Sequence, residues 1–449
     1  MTFYKKFIMD EVSSKKRFFK ELSIEKIGFI CFLIGIFLLA SAVGISIIFL
    51  LISVIISFLK PYKFLKDKWN YPLILSGICM IFSTFMHFQR YEKYIELGLN
   101  PLLSLIGLVN WIPFFFCFWG FQNYLNTPKK RLITSRLLIC GSIPVIFSGI
   151  LQLLNINGPF EFFYGLVIWF QKPIKEIGSV AGLFNNQNYA GLWMVLVWPF
   201  CLSELNTPKR SLNEKLTLFT ISTLFVAFIF LTDSRNAILG LLISSPIILG
   251  ISNLVWYLPL IFSGFSLLAL TVLPIFPYEI RTFMESIIPS RIYTLFPEVG
   301  FNDLTSYPRI NKWFSSINLI TKSPIFGFGA ASFPILYSFK EEQFEHSHNL
   351  PLEMALSYGF ITSFIIFSFY ATLLYLSFKK ISSLSKLNNL ELGCFLNKKA
   401  WYASSLIFLL SHLFDIQYFD VRISTLCWIL LAGLKCFINE KAEFKKNTL

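Results

Sequence analysis

Three observations predict an all-α polytopic integral membrane protein with about twelve transmembrane helices. Only 14% of the 449 residues are charged and 55% are hydrophobic, including 52 phenylalanines. Soluble domains carry roughly 25% charged residues, and the mean hydropathy here is +0.64. Apolar runs of about 17–25 residues recur, the length a helix needs to cross a bilayer. They lack the period-two alternation of a membrane β-barrel. Finally, the basic residues fall mostly in short connections between these runs, as in loops held on one side of a membrane. That placement ties the net charge of +14 to topology rather than to nucleic acid.

Residues 1–26 form a polar, basic segment without a signal-peptide cleavage site. It reads either as a helix resting on an anionic inner leaflet or as a frayed basic tail. The run Ile27–Leu59 is too long for one span and divides near Ser41–Gly44 into two short helices. Lys60, Lys63, Lys66 and Lys68 then mark an inner loop. A third span covers 71–87, a fourth follows Pro101, a fifth covers 137–154 and a sixth 189–205, with an outer segment Asn155–Asn188 before the last. Spans seven and eight, 216–232 and 237–252, turn at Asp233-Ser-Arg235-Asn. The ninth, 254–276, closes a first membrane block 27–276 and leads to the large outer loop 277–350. A second block, 351–438, holds spans 351–378, 401–417 and 423–438, before an inner tail 439–449.

This arrangement puts 27 of the 39 basic residues inside, together with both termini. The outer side has six lysines and six arginines, the inner side 23 and four. Lysine suffices for topology, whereas arginine's planar fork can grip a phosphate by two bonds, so the outer arginines hint at an anionic ligand. All eight cysteines lie in apolar runs or inner loops, so no disulfide framework is implied.

The chemistry-bearing residues concentrate around the large loop. Pro308–Thr321 reads as a helix with Arg309, Trp313, Ile317 and Ile320 on one face, lying on the membrane or packing on the protein. Gly327-Phe-Gly329 gives a turn whose N–H groups either face a phosphate or sugar or simply serve turn geometry. His346 and His348 precede the tenth span; His348 suits a general base, since an unperturbed imidazole titrates near neutrality, or it caps the next helix or binds water. No acidic or cysteine cluster at metal spacing accompanies the pair, so no metal or other cofactor is expected. Glu353 either orients an imidazole, accepts a sugar hydroxyl or favours the helix start. Arg235 needs Asp233, a lipid headgroup or an anionic substrate as partner. Asn185 and Asn188 suit sugar hydroxyls, although Asn188 also reads as a helix N-cap. His87, His412 and Asp415, near outer helix ends, read as satisfied packing groups. No P-loop, dinucleotide fingerprint or hydrolase elbow is present.

Four ordered elements resemble the O-antigen ligase / O-antigen polymerase superfamily of bacterial membrane glycosyltransferases. They are Gly182-x-Phe-Asn-x-x-Asn188-x-Ala190, Thr232-x-Ser-Arg235-x-Ala237, Pro324-x-x-Gly-x-Gly329-x-x-x-Phe333 and His346-x-His-Asn349-x-x-x-Glu353-x-x-x-x-x-Gly359. Two positions depart from the pattern: Gln187 stands where proline is usual, and Asn236 where a small residue is common. The resemblance implies transfer of a glycan from an undecaprenyl-diphosphate carrier, at the outer (periplasmic) face of the bacterial inner membrane. The acceptor would be a lipid A-core sugar in lipopolysaccharide biosynthesis, or another carrier-linked unit in a polysaccharide polymerase. A small-anion transporter is the alternative of another class. The resemblance further implies metal-independent, inverting chemistry with catalytic His348 and Arg235. Arg309, Arg281, Arg291, His346, Asn185, Asn188 and Glu353 would then bind substrate.

Overall fold

The computed structural model describes residues 24–59, 64–250, 275–287, 308–337, 345–385 and 391–440, with a few positions between 262 and 273. Most of the N-terminal segment, most of the ninth span, Arg291 and the end of the tail lie outside these residues. The helices are α1 (Ile24–Leu38), α2 (Val43–Phe58), α3 (Tyr71–Gln89), α4 (Pro101–Val109), α5 (Ile112–Leu125), α6 (Pro128–Leu153), α7 (Gln187–Leu205), α8 (Leu212–Leu231), α9 (Arg235–Leu249), α10 (Tyr278–Ile287), α11 (Pro308–Lys322), α12 (Leu350–Tyr358), α13 (Phe360–Leu384), α14 (Leu392–Ser411) and α15 (Val421–Asn439). Among the described residues, six helical segments are long and apolar enough to cross a membrane: 68–89, 101–125, 128–153, 212–231, 360–384 and 421–439.

Several boundaries differ from the sequence reading. The fourth span breaks at Asn110–Trp111 into α4 and α5. The fifth begins at Pro128, capped by Thr127, so the basic residues 129–136 belong to its first turns. The eleventh likewise begins at Leu392 and carries Lys398 and Lys399 within it. The outer segment contains one antiparallel hairpin, β1 (Phe160–Phe162) with β2 (Val167–Trp169), the one departure from an all-helical chain among the described residues.

Helices α7 and α15 are buried almost all round, from Ala190 to Glu204 and from Ile423 to Phe437. A helix apolar on every side belongs at the centre of its bundle. Helices α6, α8, α9 and α14 pack on α7, while α5, α13 and α14 pack on α15. Side chains such as Ile78, Ile81 and Phe85 of α3 and Phe219 and Phe230 of α8 remain exposed, as apolar faces turned to lipid do. Small hydroxyls knit the interior: Ser404 Oγ donates to the Leu196 carbonyl at 2.6 Å and Trp193 Nε1 to Ser142 Oγ at 2.9 Å.

The two ends of the bundle differ in chemistry. At one end charges are matched in closed ion pairs. Buried Lys435 reaches Asp67 Oδ2 at 2.6 Å, Arg131 and Lys398 share Glu440, and Arg136 and Arg210 share Glu204. The opposite end gathers the α1–α2 turn, the hairpin, the starts of α7 and α9, and the loop before α12. Trp169 Nε1 donates to the Ser41 carbonyl at 2.9 Å, and Arg422 Nη1 to the Leu183 carbonyl at 2.8 Å.

The tenth predicted span is also broken, at Gly359. The kink receives the turn 324–329 through bonds from Phe328 N to Leu356 O (2.7 Å), Gly329 N to Ser357 O (3.0 Å) and Phe360 N to Pro324 O (2.8 Å). Gly359 has φ +89°, and a Cβ there would lie 1.9 Å from the Ile325 carbonyl oxygen. Gly359→Ala must therefore strain the backbone and push the turn away, a cost on the order of 1–3 kcal/mol. A thermal melt of the full chain in micelles should fall by several degrees; an unchanged melt would show that the turn does not depend on this contact.

Candidate active site

The site begins with the loop that enters α12. Asn349 caps the helix, its Oδ1 accepting from Leu352 N at 3.0 Å. The preceding His348 sits at φ 55°, in the left-handed region that non-glycine residues avoid unless the surroundings hold them there. Those surroundings are explicit. Asn349 Nδ2 donates to the Leu413 carbonyl at 3.0 Å, Leu350 N to the His412 carbonyl at 2.8 Å and Ser347 N to Glu353 Oε2 at 2.9 Å. The loop is thus bound to the connection between α14 and α15.

That connection supplies Asp415, whose Oδ1 lies 2.8 Å from His348 Nδ1. Asp415 also accepts from Ile416 N at 3.0 Å and from Gln417 Nε2 at 2.8 Å. Burial pushes its pKa up, but the His348 hydrogen bond, the two imidazole charges and the Ile416 N–H outweigh burial and hold it below its usual value. An ionised carboxylate only accepts, so the hydrogen-bond pattern assigns the proton to His348 Nδ1 and leaves a lone pair on Nε2. His346 stands edge-on to His348, centroids 4.4 Å apart, and its Nδ1 accepts the His348 backbone N–H at 3.2 Å. Burial pushes its pKa down to about 4, the charges of His348 and Lys312 acting in the same sense and Asp415 opposing. His346 is therefore a neutral neighbour near pH 7.

Asp415 also forms part of a cavity of about 360 Å³ with Gln187, Asn188, Asp233, Arg235, Asn236 and Arg309. Apart from Asp233 and Asp415, every lining residue belongs to the first turn of a helix: Gln187 and Asn188 of α7, Arg235 and Asn236 of α9, and Arg309 of α11. Helix N-termini carry unpaired N–H groups and the positive end of the helix dipole, so their convergence favours an anion. Two guanidinium groups from different elements add positive charge, against which Asp233 and Asp415 set two carboxylates, and at α7 the Asn188 N–H is already held by Asn186.

The structure thus links His348, Arg235, Arg309, His346 and Asn188 directly or through Asp415. Other predicted residues are placed elsewhere. Asn185 lines a different cavity, Arg281 lies on α10 and does not line this one, and Arg291 falls outside the described residues. Glu353 is buried and holds the Ser347 N–H, so it shapes the loop rather than orienting an imidazole. The cap of α7 is Asn186, whose Oδ1 accepts from Asn188 N at 2.7 Å, so Asn188 is not the cap. The Gly327-x-Gly329 turn has no N–H left for a ligand: Gly327 N bonds Ser323 O, and the next two bond α12 carbonyls. On α11 the buried stripe is Lys312, Ser316 and Ile320, whereas Ile317 is exposed.

Sequence reasoning missed Asp415, Gln417 and Lys312. His87 is the packing group expected, with ring contacts to Ser104 Oγ and the Phe326 carbonyl at 2.9 Å each. Asp415 is not. It stands 67 residues from His348, and the one available signal was an acidic residue in a short connection at the same end of the bundle. Asp415 also completes a group that no local spacing contains: ligand atoms of His346, His348 and Asp415 lie within 4.8 Å of one another. These three could hold a divalent cation, in competition with the bonds already made by His346 Nδ1 and Asp415 Oδ1.

Residues 220–367 match the family model described as O-antigen ligase. The matched stretch runs from within α8 to the first turns of α13, including Arg235, Arg309, His346 and His348 but not Asp415 or Asn188. No curated protein matches the chain.

The depressed pKa of His346 sets a pH dependence. Unfolded, the imidazole binds a proton near pH 6.5; folded, it does so only near 4. Its stabilising contribution is full above about pH 6.5 and is lost as pH falls toward 4. Hydrogen exchange of the 345–350 backbone, corrected for intrinsic rates, should show protection falling across that window, with a shallower fall in His346→Phe. Equal slopes in both proteins would mean that His346 is not the titrating group.

Proposed function

We propose, from the premise that residues 220–367 form an O-antigen ligase domain, that this membrane protein transfers a glycan from an undecaprenyl-diphosphate carrier to an acceptor hydroxyl at the outer face of the inner membrane. The observation that carries the reading is the double engagement of Asp415, which hydrogen-bonds His348 and lines the cavity holding Arg235 and Arg309. That double engagement supports a base acting beside a pocket lined by two guanidinium groups. The acceptor is a sugar hydroxyl of a lipid A-core or a related glycan.

Arg235 and Arg309, with the starts of α7, α9 and α11, hold the diphosphate. His348 Nε2 removes the proton from the acceptor hydroxyl. The oxygen forms a bond to the anomeric carbon while the bond from that carbon to the diphosphate oxygen breaks. The electron pair leaves with the diphosphate, whose growing charge the guanidiniums stabilise in a poorly hydrated site. Asp415 keeps Nδ1 protonated and stabilises the imidazolium that results, without itself taking the proton. A single displacement of this kind inverts the anomeric configuration. The reaction needs no metal, since the diphosphate already leaves readily. His346, neutral and edge-on, adds no repulsive charge to that imidazolium.

Transfer from a carrier-linked glycan by the purified full chain tests this. His348→Ala should lower kcat by about 10²–10⁴, and Asp415→Asn should lower kcat with little change in KM. Arg235→Ala should raise the donor KM as well, and Arg235→Lys should restore little, because a point charge does not replace a two-pronged donor. EDTA should leave the rate unchanged. Loss of activity in EDTA, or full activity of His348→Ala, would overturn the mechanism.

A further inference from the structure

A second cavity of about 250 Å³ opens at the same end of the bundle, lined by Ser41, Trp169, Asn185, Asp420 and Arg422 among others. We infer that it is a binding subsite for a neutral pyranose ring of the acceptor glycan, an inference that rests on the transfer reaction proposed above.

Its chemistry differs from that of the arginine-lined cavity. Here the one arginine is closed by its own carboxylate. Arg422 Nε reaches Asp420 Oδ1 at 2.8 Å and Oδ2 at 3.2 Å, Nη2 also bonds Asp420, and the guanidinium lies 3.7 Å above the Phe184 ring. A pair neutralised in this way offers no net charge to a phosphate. It does offer donors and an acceptor side by side: the Nη hydrogens left after the bonds to Asp420 and the Leu183 carbonyl, and the amide of exposed Asn185, which both donates and accepts. Sugar hydroxyls, which both donate and accept, need that mixture. Trp169 adds a broad apolar ring surface, on which the C–H face of a pyranose can rest. At about 250 Å³ the cavity falls below the roughly 300–1,000 Å³ of pockets for drug-sized ligands. It suits one ring rather than a whole repeat unit.

The walls are held before any ligand arrives. Trp169 is fixed by its bond to the Ser41 carbonyl at 2.9 Å and by the edge contact with Phe162 at 4.9 Å. Beside it, Gln171 accepts from Ser148 Oγ and donates to the Ile156 carbonyl, both at 2.5 Å. Gln152 accepts from Gly182 N at 2.7 Å and donates to the Lys172 carbonyl at 2.8 Å. A preset site loses less entropy on binding, which weak sugar contacts require.

The position is suited to an acceptor. Asn185 stands just before Asn188 on one wall, and Asp420 just after Asp415 on another, so two short chain segments each contribute to both cavities. A glycan seated here would lie beside the segments that also carry Asn188 and Asp415.

The test uses the full chain in a zwitterionic detergent without a sugar headgroup. Saturation-transfer NMR would probe methyl glycosides of glucose, galactose and N-acetylglucosamine. At least one should give a signal with the unaltered protein, reduced at least fivefold in Asn185→Ala and in Trp169→Ala. Trp169→Phe, which keeps a ring but loses the bond to Ser41, should retain most of it. Arg235→Ala and His348→Ala should leave it unchanged. No signal from any of the three glycosides, or a signal that survives both Asn185→Ala and Trp169→Ala, overturns the subsite. Loss in Arg235→Ala with retention in Trp169→Ala would move the sugar to the other cavity and likewise overturn it. If glycoside binding follows the expected pattern while carrier-linked transfer fails, the subsite stands and the proposed reaction falls.

Discussion

The hydrogen bond between His348 and Asp415 is the contact on which both halves of the site depend. A histidine at φ 55° is not held by local preference, and an imidazole on a loop has no reason of its own to face a particular cavity. The carboxylate supplies direction and favours the tautomer with the proton on Nδ1. Asp415 can do so only because it is itself immobilised: it is buried, with both oxygens engaged by three donors. The neighbouring backbone bonds from Asn349 and Leu350 to the carbonyls of 413 and 412 hold the two segments in register. Precision in this site is therefore tertiary, made by two loops that clamp each other.

The two ends of the bundle solve different electrostatic problems. At one end Lys435–Asp67, Arg131–Glu440–Lys398 and Arg136–Glu204–Arg210 close charge on opposite charge. That is the arrangement expected where ions must be accommodated near hydrocarbon and do nothing else. At the other end the helix starts converge on a cavity, and charges that could close on one another locally are distributed over three helices and two loops. Arg235 and Arg309 stand there with Asp233 and Asp415 around one cavity. Within that same end Arg422 and Asp420 form a closed pair.

Glycine placement connects this chemistry to the membrane scaffold. The kink at Gly359 separates α12, which presents the histidine loop, from α13, long enough to span. The turn 324–329 wedges into that kink through backbone bonds and the packing of Phe328. Of its two glycines, at φ +66° and +93°, Gly327 lies against the Leu356 and Ser357 backbone and Gly329 against the Ser104 side chain, rather than serving phosphate binding. The loop that carries the site is attached by side chains as well as main chain, through Asn349, Glu353 and His348.

Composition and apolar periodicity were enough to establish a helical membrane protein, because desolvating backbone in lipid admits few alternatives. The grouping of His346, His348, Arg235 and Arg309 at one end was also legible, since polar residues in a nearly apolar chain collect where spans end. The earlier start of α6 was available locally, in the Thr127 cap followed by Pro128. The sequence reading places no break at Asn110 or Gly359 and no hairpin at 160–169; the kink at Gly359 is decided by packing against the distant turn 324–329. Asp415 is the clearest case: as an acidic residue in a short turn it has an ordinary sequence context, and only the approach of a loop 67 residues away gives it a role. The same holds for Asn185 and Asn188, three positions apart yet facing different cavities. Residue type and span order were written locally; which side chain meets which was decided by long-range contacts, because the free energy of such a pairing exists only once both segments are in place.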